Sequence, residues 1–241
     1  MNPDLGTALL VGGSSQLGFA VLTELLGPSP RRVVLAGRPS EGLWRHADQL
    51  RDAGYQVSTA QYDASHEAAG TDGLLEHLTA DHQLGLVVIA VGALSADSFA
   101  DALVVNGLAV AVLVQTLIGR MSDAGSGQLV LLSSAAAARP RRSVMAYSLG
   151  KQLADSTALL LAPQAAAAGV RVLVVRPGFV ATRMTEGLDR PPLWTTPAKV
   201  ASQVARAIAG HRVVVWVPRS MALVVRVLRW LPSALIPAGL R

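Results

Sequence analysis

The chain has 241 residues, 51% hydrophobic and 4% aromatic, with no cysteine; that suits one α/β domain and excludes a disulfide framework or a cysteine-ligated metal. Its net charge of +5 rests on 19 scattered arginines and two lysines, Lys151 and Lys199, with basic clusters only at Arg139, Arg141, Arg142 and in the C-terminal segment. Nucleic acid is therefore not an expected partner, and residues 1–6, lacking a basic start and an apolar stretch, give the expectation of a cytoplasmic protein.

Strand-like and helix-like stretches alternate along the chain. Residues 7–12 form a short apolar run ending in glycines, and 16–26 carry helical spacing. A strand over 32–36, a polar helix over 41–53, a strand over 56–60 and a helix over 67–79 follow. Next come an apolar strand over 86–91, a long helix over 100–121 and a strand over 128–133. An Ala-rich helix over 146–168 leads to a strand over 170–175 that ends at Arg176-Pro177-Gly178. A helix over 196–209 has Pro197 just inside its start, and 213–217 is the last strand. The pattern predicts a doubly wound, Rossmann-type parallel sheet of seven strands with helices on both faces. That domain covers 1–217, and an apolar, basic tail over 218–241 follows. Its apolar stretch, Met221–Leu231, is too short and too charged to span a bilayer; the tail reads equally as a cleft lid, a subunit contact or a membrane-surface helix.

Between the first strand and helix lies Gly12-Gly13-Ser14-Ser15-Gln16-Leu17-Gly18. Glycines let the backbone approach a pyrophosphate, and the helix N-terminus offers free N–H groups and a positive dipole end. The second strand ends in Gly37-Arg38, with no acid to hold a ribose 2′-hydroxyl, which favours a 2′-phosphate and hence NADP(H). Asp63, after the third strand, is placed to accept from an adenine amino group.

Tyr147 and Lys151 are four apart at the start of the Ala-rich helix and share a face. An ammonium near a phenol favours the phenolate, so the tyrosine is expected to exchange a proton with a carbonyl or alcohol oxygen near neutral pH. Ser134 ends the preceding strand, at the sheet edge where ligands bind, and can meet Tyr147 over one substrate oxygen.

With the glycine loop, Asp63, Asn106, Ser134, Tyr147, Lys151, Pro177-Gly178 and Thr182 in this order, residues 7–217 resemble a short-chain dehydrogenase/reductase. The resemblance implies an NAD(P)(H)-dependent carbonyl reductase in which Tyr147 is the acid/base. Lys151 would lower its pKa and bind the nicotinamide ribose, Ser134 would orient the carbonyl, and Asn106 would help a water relay. Ala90, Val91, Gly92, Pro177, Gly178, Val180 and Thr182 would line the cofactor. Two departures stand out. Gln16 replaces a usual glycine, and Ile89-Ala90-Val91-Gly92 replaces a usual Asn-Asn-Ala-Gly. A narrower resemblance rests on Gly12–Gly18, Ile89–Gly92, Arg139-Pro140-Arg141-Arg142, Thr182-Arg183-Met184 and Trp216-Val217-Pro218 before the tail. It is to reductases of decaprenylphosphoryl 2-keto-erythro-pentose, which make a cell-wall arabinose donor. This implies NAD(H), against the reading of Arg38, and a polyprenyl-phosphate keto-sugar substrate. It also implies peripheral membrane contact and a partner flavin oxidase that makes the ketone. Homo-oligomers pairing through the two long helices are a further implication of the family. A reductase of a small ketone or polyketide, and a non-catalytic dinucleotide sensor, are the alternatives.

Overall fold

A computed structural model describes residues 6–27, 32–65, 74, 77–78, 83–94, 96–189 and 193–230. Seven parallel strands form one sheet in the order β3-β2-β1-β4-β5-β6-β7. They are β1 (Thr7–Val11), β2 (Arg32–Gly37), β3 (Gln56–Gln61), β4 (Leu84–Ile89), β5 (Gly127–Leu132), β6 (Val170–Pro177) and β7 (Val214–Val217). β1, β4 and β5 are buried along their whole length, the continuous apolar pattern of strands covered on both faces.

Alternation along the strands feeds two cores. Leu9, Val11, Val87 and Ile89 point to one face, under the helical stretch 99–123 and α6 (Met145–Ala167). Ala8, Leu10, Leu86 and Val88 point to the other, under α1 (Gln16–Leu25), α2 (Glu41–Asp52) and α7 (Pro197–Ala209). Serine or threonine caps α1, α2 and α7 through Ser15, Ser40 and Thr196, as their spacing before each apolar run requires.

The stretch expected as one helix over 100–121 has three parts. These are α3 (Phe99–Leu103), a π-helical turn (Val104–Leu108) and α4 (Ala109–Asp123). Residues 99–123 are long and apolar enough to cross a membrane, but α4 is a core element here, burying Val110, Leu113, Val114, Leu117 and Met121. The fourth strand stops at Ile89, two residues before its expected end, which leaves Ala90–Gly92 as a loop. The helix expected over 67–79 falls mostly outside the described residues.

Three short turns were not anticipated: α5 (Ala135–Ala138) and 3₁₀ turns at Arg142–Val144 and Arg183–Thr185. The described part of the tail is α8 (Ser220–Trp230).

Candidate active site

The chain runs outward from β1 in both directions, so the strand order reverses between β1 and β4. The glycine loop lies at that switch point, where α/β sheets bind ligands. Gly12 has φ +91°, a left-handed turn, and a Cβ there would lie 2.7 Å from the Ala90 carbonyl oxygen. A Cβ on Gly18 would meet the Ala90 Cβ at 2.5 Å, so helix and sheet close tightly behind the loop. The N–H groups of Gly12 and Gly13 bind the Ala36 carbonyl, which ties the loop to the end of β2. Ser15 Oγ accepts from Gly18 N, while Gln16 and Leu17, the first helical residues, have by position no intrahelical carbonyl for their N–H groups. A narrow backbone with free donors at a helix N-terminus fits a dinucleotide pyrophosphate.

His46, on α2, props this loop from beneath. Its Nδ1 lies 2.8 Å from the Gly13 carbonyl, and its ring stacks on Phe19 at 4.0 Å. Burial lowers its pKa, so it is neutral near pH 7 and Nδ1 carries the donated proton. Gln16, the departure from the family loop, does not block the cradle. Its Oε1 accepts from Arg183 N at 2.9 Å, and the Arg183 guanidinium reaches the Ser14 carbonyl at 3.3 Å. The turn after β6 is thereby strapped across the loop. Thr182 caps that turn, and Val180 bridges to Thr195 beneath it. Arg38 is exposed just past Gly37, at the end of β2. Asp63 is held by Ser65, whose N–H and Oγ donate to it at 3.0 and 2.7 Å.

Lys151 is 5% exposed and Asn106 is fully buried beside it. The lysine Nζ donates to the Val91 and Leu132 carbonyls at 2.7 and 3.1 Å and lies 6.0 Å from the Tyr147 ring centre. The apolar replacement at Ala90-Val91 thus still serves the lysine, because the contact uses the main chain. Gly92 is needed there: a Cβ would come within 3.0 Å of the lysine Nζ. Asn106 Nδ2 donates to the carbonyls of Ala93 and Ala102, and its Oδ1 accepts from Ala93 N. With both amide protons in use, the side chain holds the loop after Gly92 in place.

Tyr147 and Ser134 are brought together, the serine hydroxyl bonding the phenol. The expectation of a lowered phenol pKa needs correction. Burial pushes Tyr147 above its ordinary value, against weaker downward pulls from Ser134 and Arg141. Lys151 is itself pulled down to about 8 by burial, partly offset by Asp155. In this geometry the tyrosine is a protonated donor at neutral pH.

Two sets of residues escaped the sequence reading. Arg183 meets the glycine loop across 167 residues of chain, a contact no local pattern announces. Asp155 lies four residues past Lys151 on the same helix, and that spacing could have found it.

A dinucleotide cradle at the switch point, with a phenol, a hydroxyl and a buried ammonium on the same sheet edge, defines an NAD(P)-dependent oxidoreductase. A family model described as short chain dehydrogenase matches residues 6–192, and the chain belongs to that family. It is 36% identical to an uncharacterized oxidoreductase of Mycobacterium tuberculosis, over 95% of this chain and 96% of the relative. An uncharacterized oxidoreductase of Streptomyces coelicolor is 34% identical, over 94% and 93%. Among solved structures, a short-chain dehydrogenase from Sphingobium yanoikuyae in complex with NADPH has the same fold. Its TM-score is 0.78 at 21% identity, covering 98% of this chain and 100% of that one.

Proposed function

We propose that this oxidoreductase reduces a ketone, with Tyr147 delivering the proton to the carbonyl oxygen. The carrying observation is the Ser134–Tyr147 contact with Lys151 buried behind it. The nicotinamide cofactor, when bound, supplies the hydride; the glycine loop, Asp63, Val91, Lys151 and the Pro177–Thr182 turn hold it. Ser134 orients the carbonyl. The protonated phenol hydrogen-bonds the oxygen and gives up its proton as negative charge develops there. Lys151 stabilises the resulting phenolate. A water relay past Asn106 would have to use the main chain or the remaining lone pair of its Oδ1, since both amide protons are already committed.

The substrate reading is a 2-keto sugar on a polyprenyl phosphate. Arg139, Arg141 and Arg142 lie between Ser134 and Tyr147, and arginines suit phosphate oxygens. Met221 of α8 packs against Gly178, and on this reading the tail would lie beside the nicotinamide. The outer side of α8 exposes Leu223, Val227 and Trp230 with Arg219 and Arg226, an arrangement suited to a polyprenyl chain or an anionic lipid surface on the cytoplasmic side. Such a ketone would come from an oxidase acting on the corresponding alcohol, a flavin enzyme in the narrower resemblance. Exposed Leu149, Leu153 and Leu160 on α6, with Phe99 and Leu108 on the neighbouring helix, fit pairing with a second copy.

The test compares NADPH- and NADH-dependent reduction of detergent-dispersed keto-sugar lipid with that of soluble ketones. At least tenfold higher kcat/KM on the lipid is expected. Equal or better turnover of soluble ketones would replace the lipid reading with a small-ketone or polyketide reductase. Cofactor binding without turnover of any ketone would leave a dinucleotide sensor.

A further inference from the structure

A buried charge chain beneath the site has no part in the mechanism above. Asp155 is 3% exposed and lies one helical turn past Lys151. Its carboxylate accepts Ser133 Oγ at 2.6 Å and Arg176 Nε and a terminal Arg176 nitrogen at 2.9 and 2.6 Å. The other side of the Arg176 guanidinium lies over the Trp216 ring, 5.2 Å from its centre.

These residues come from the three segments that carry the site. Ser133 precedes Ser134, Asp155 follows Tyr147 and Lys151, and Arg176 precedes Pro177-Gly178. A buried ion pair is a weak device for stability, because well-packed apolar side chains often do as well. The charged groups around the lysine are few. Asp155, on its own helix, acts on the lysine directly; Arg176 of β6 reaches it only through its ion pair with Asp155, and Arg141 acts on the neighbouring Tyr147 phenol. Among the described residues, the π-helical turn and the loop after β4 bring the neutral Asn106 and the Val91 carbonyl to the lysine.

We propose that Asp155, fixed by Ser133 and Arg176, is a positioning residue for Lys151. Its carboxylate keeps the ammonium charged and seated on the Val91 and Leu132 carbonyls, and Arg176 limits the negative field that the lysine feels. This rests on the reading of Lys151 as the partner of Tyr147. The two variants of the pair carry opposite signs. Asp155→Asn removes the anion and leaves Arg176 as a bare cation nearby, so Lys151 gives up its proton more readily. Arg176→Gln leaves the carboxylate unmatched, so Lys151 holds its proton more tightly. A pair serving only to tie β6 to α6 would not move the lysine in opposite directions.

The chain has two lysines, so ¹³Cε-lysine labelling gives two resonances, and Lys199→Arg assigns them. The full-length protein is titrated by NMR between about pH 6 and 11, with thermal melts confirming that each variant is folded. Asp155→Asn should lower the Lys151 midpoint by about one unit and Arg176→Gln should raise it by a similar amount, the Lys199 signal being unmoved. If one variant does not fold, the sign of the other decides. A folded variant that keeps the wild-type midpoint, or two that shift it in the same direction, overturns the proposal. Carbonyl reduction against pH is measured alongside. A shifted midpoint with an unshifted rate profile keeps Asp155 as the positioning residue and removes Lys151 from the mechanism.

Discussion

At Tyr147 the direction of the proton shift decides what the residue can do. A phenol raised by burial stays protonated at neutral pH and suits ketone reduction, where a proton must be given. Tyr147→Phe should lower kcat by about 10³-fold while the NADPH Kd, read by fluorescence titration, stays within about threefold. Lys151 makes the opposite bargain with the fold. Its folded value of about 8 lies below its ordinary 10.5, so below pH 8 the full cost of burying the charge is borne. That cost fades between about pH 8 and 10.5, and this group's contribution makes the fold more stable across that window. Lys151→Met should therefore raise Tm at pH 7 by several degrees while abolishing turnover. Equilibrium melts of both proteins at pH 7 and pH 10 check the sign, since the gap should narrow at the higher pH. Arg38→Ala should weaken NADPH binding by about tenfold and leave NADH unchanged if the guanidinium meets a 2′-phosphate.

At the scale of elements, the site depends on how closely α6 approaches the π-helical turn. A Cβ on Gly150 would lie 2.8 Å from the Asn106 Cβ, and one on Gly107 would lie 2.9 Å from the Gly150 Cα. Gly150→Ala should cost about 1–3 kcal/mol in urea unfolding and weaken NADPH binding, because Asn106 and Lys151 shift together. Element types were readable from apolar runs and helical spacing. The break at Val104–Leu108 was not readable, since a π-turn shows no local signature beyond a weak Gly107. Nor was the end of β4, where an apolar run continues into a loop whose carbonyl is claimed by a lysine 60 residues away.

For the molecule as a whole, the sheet order puts β1, β4, β5 and β6 side by side, so their C-terminal ends build one cleft from residues far apart in sequence. The tail enters this picture through Met221 against Gly178 on one side and the stripe Leu223, Val227, Trp230 on the other. Replacing those three by serine should reduce co-sedimentation with phosphatidylglycerol vesicles by at least fivefold and leave reduction of a soluble ketone intact. Equal sedimentation would make that face a protein contact instead. By itself the sequence determined the alternating architecture, the glycine loop and the Ser134, Tyr147, Lys151 set, because each is written in short-range spacing or residue type. Only the tertiary structure decided how those groups are charged, and it tied Gln16 to Arg183 and Asp155 to Ser133 and Arg176. Burial and long-range contact set proton affinities and cross-links, and neither exists until the sheet has closed.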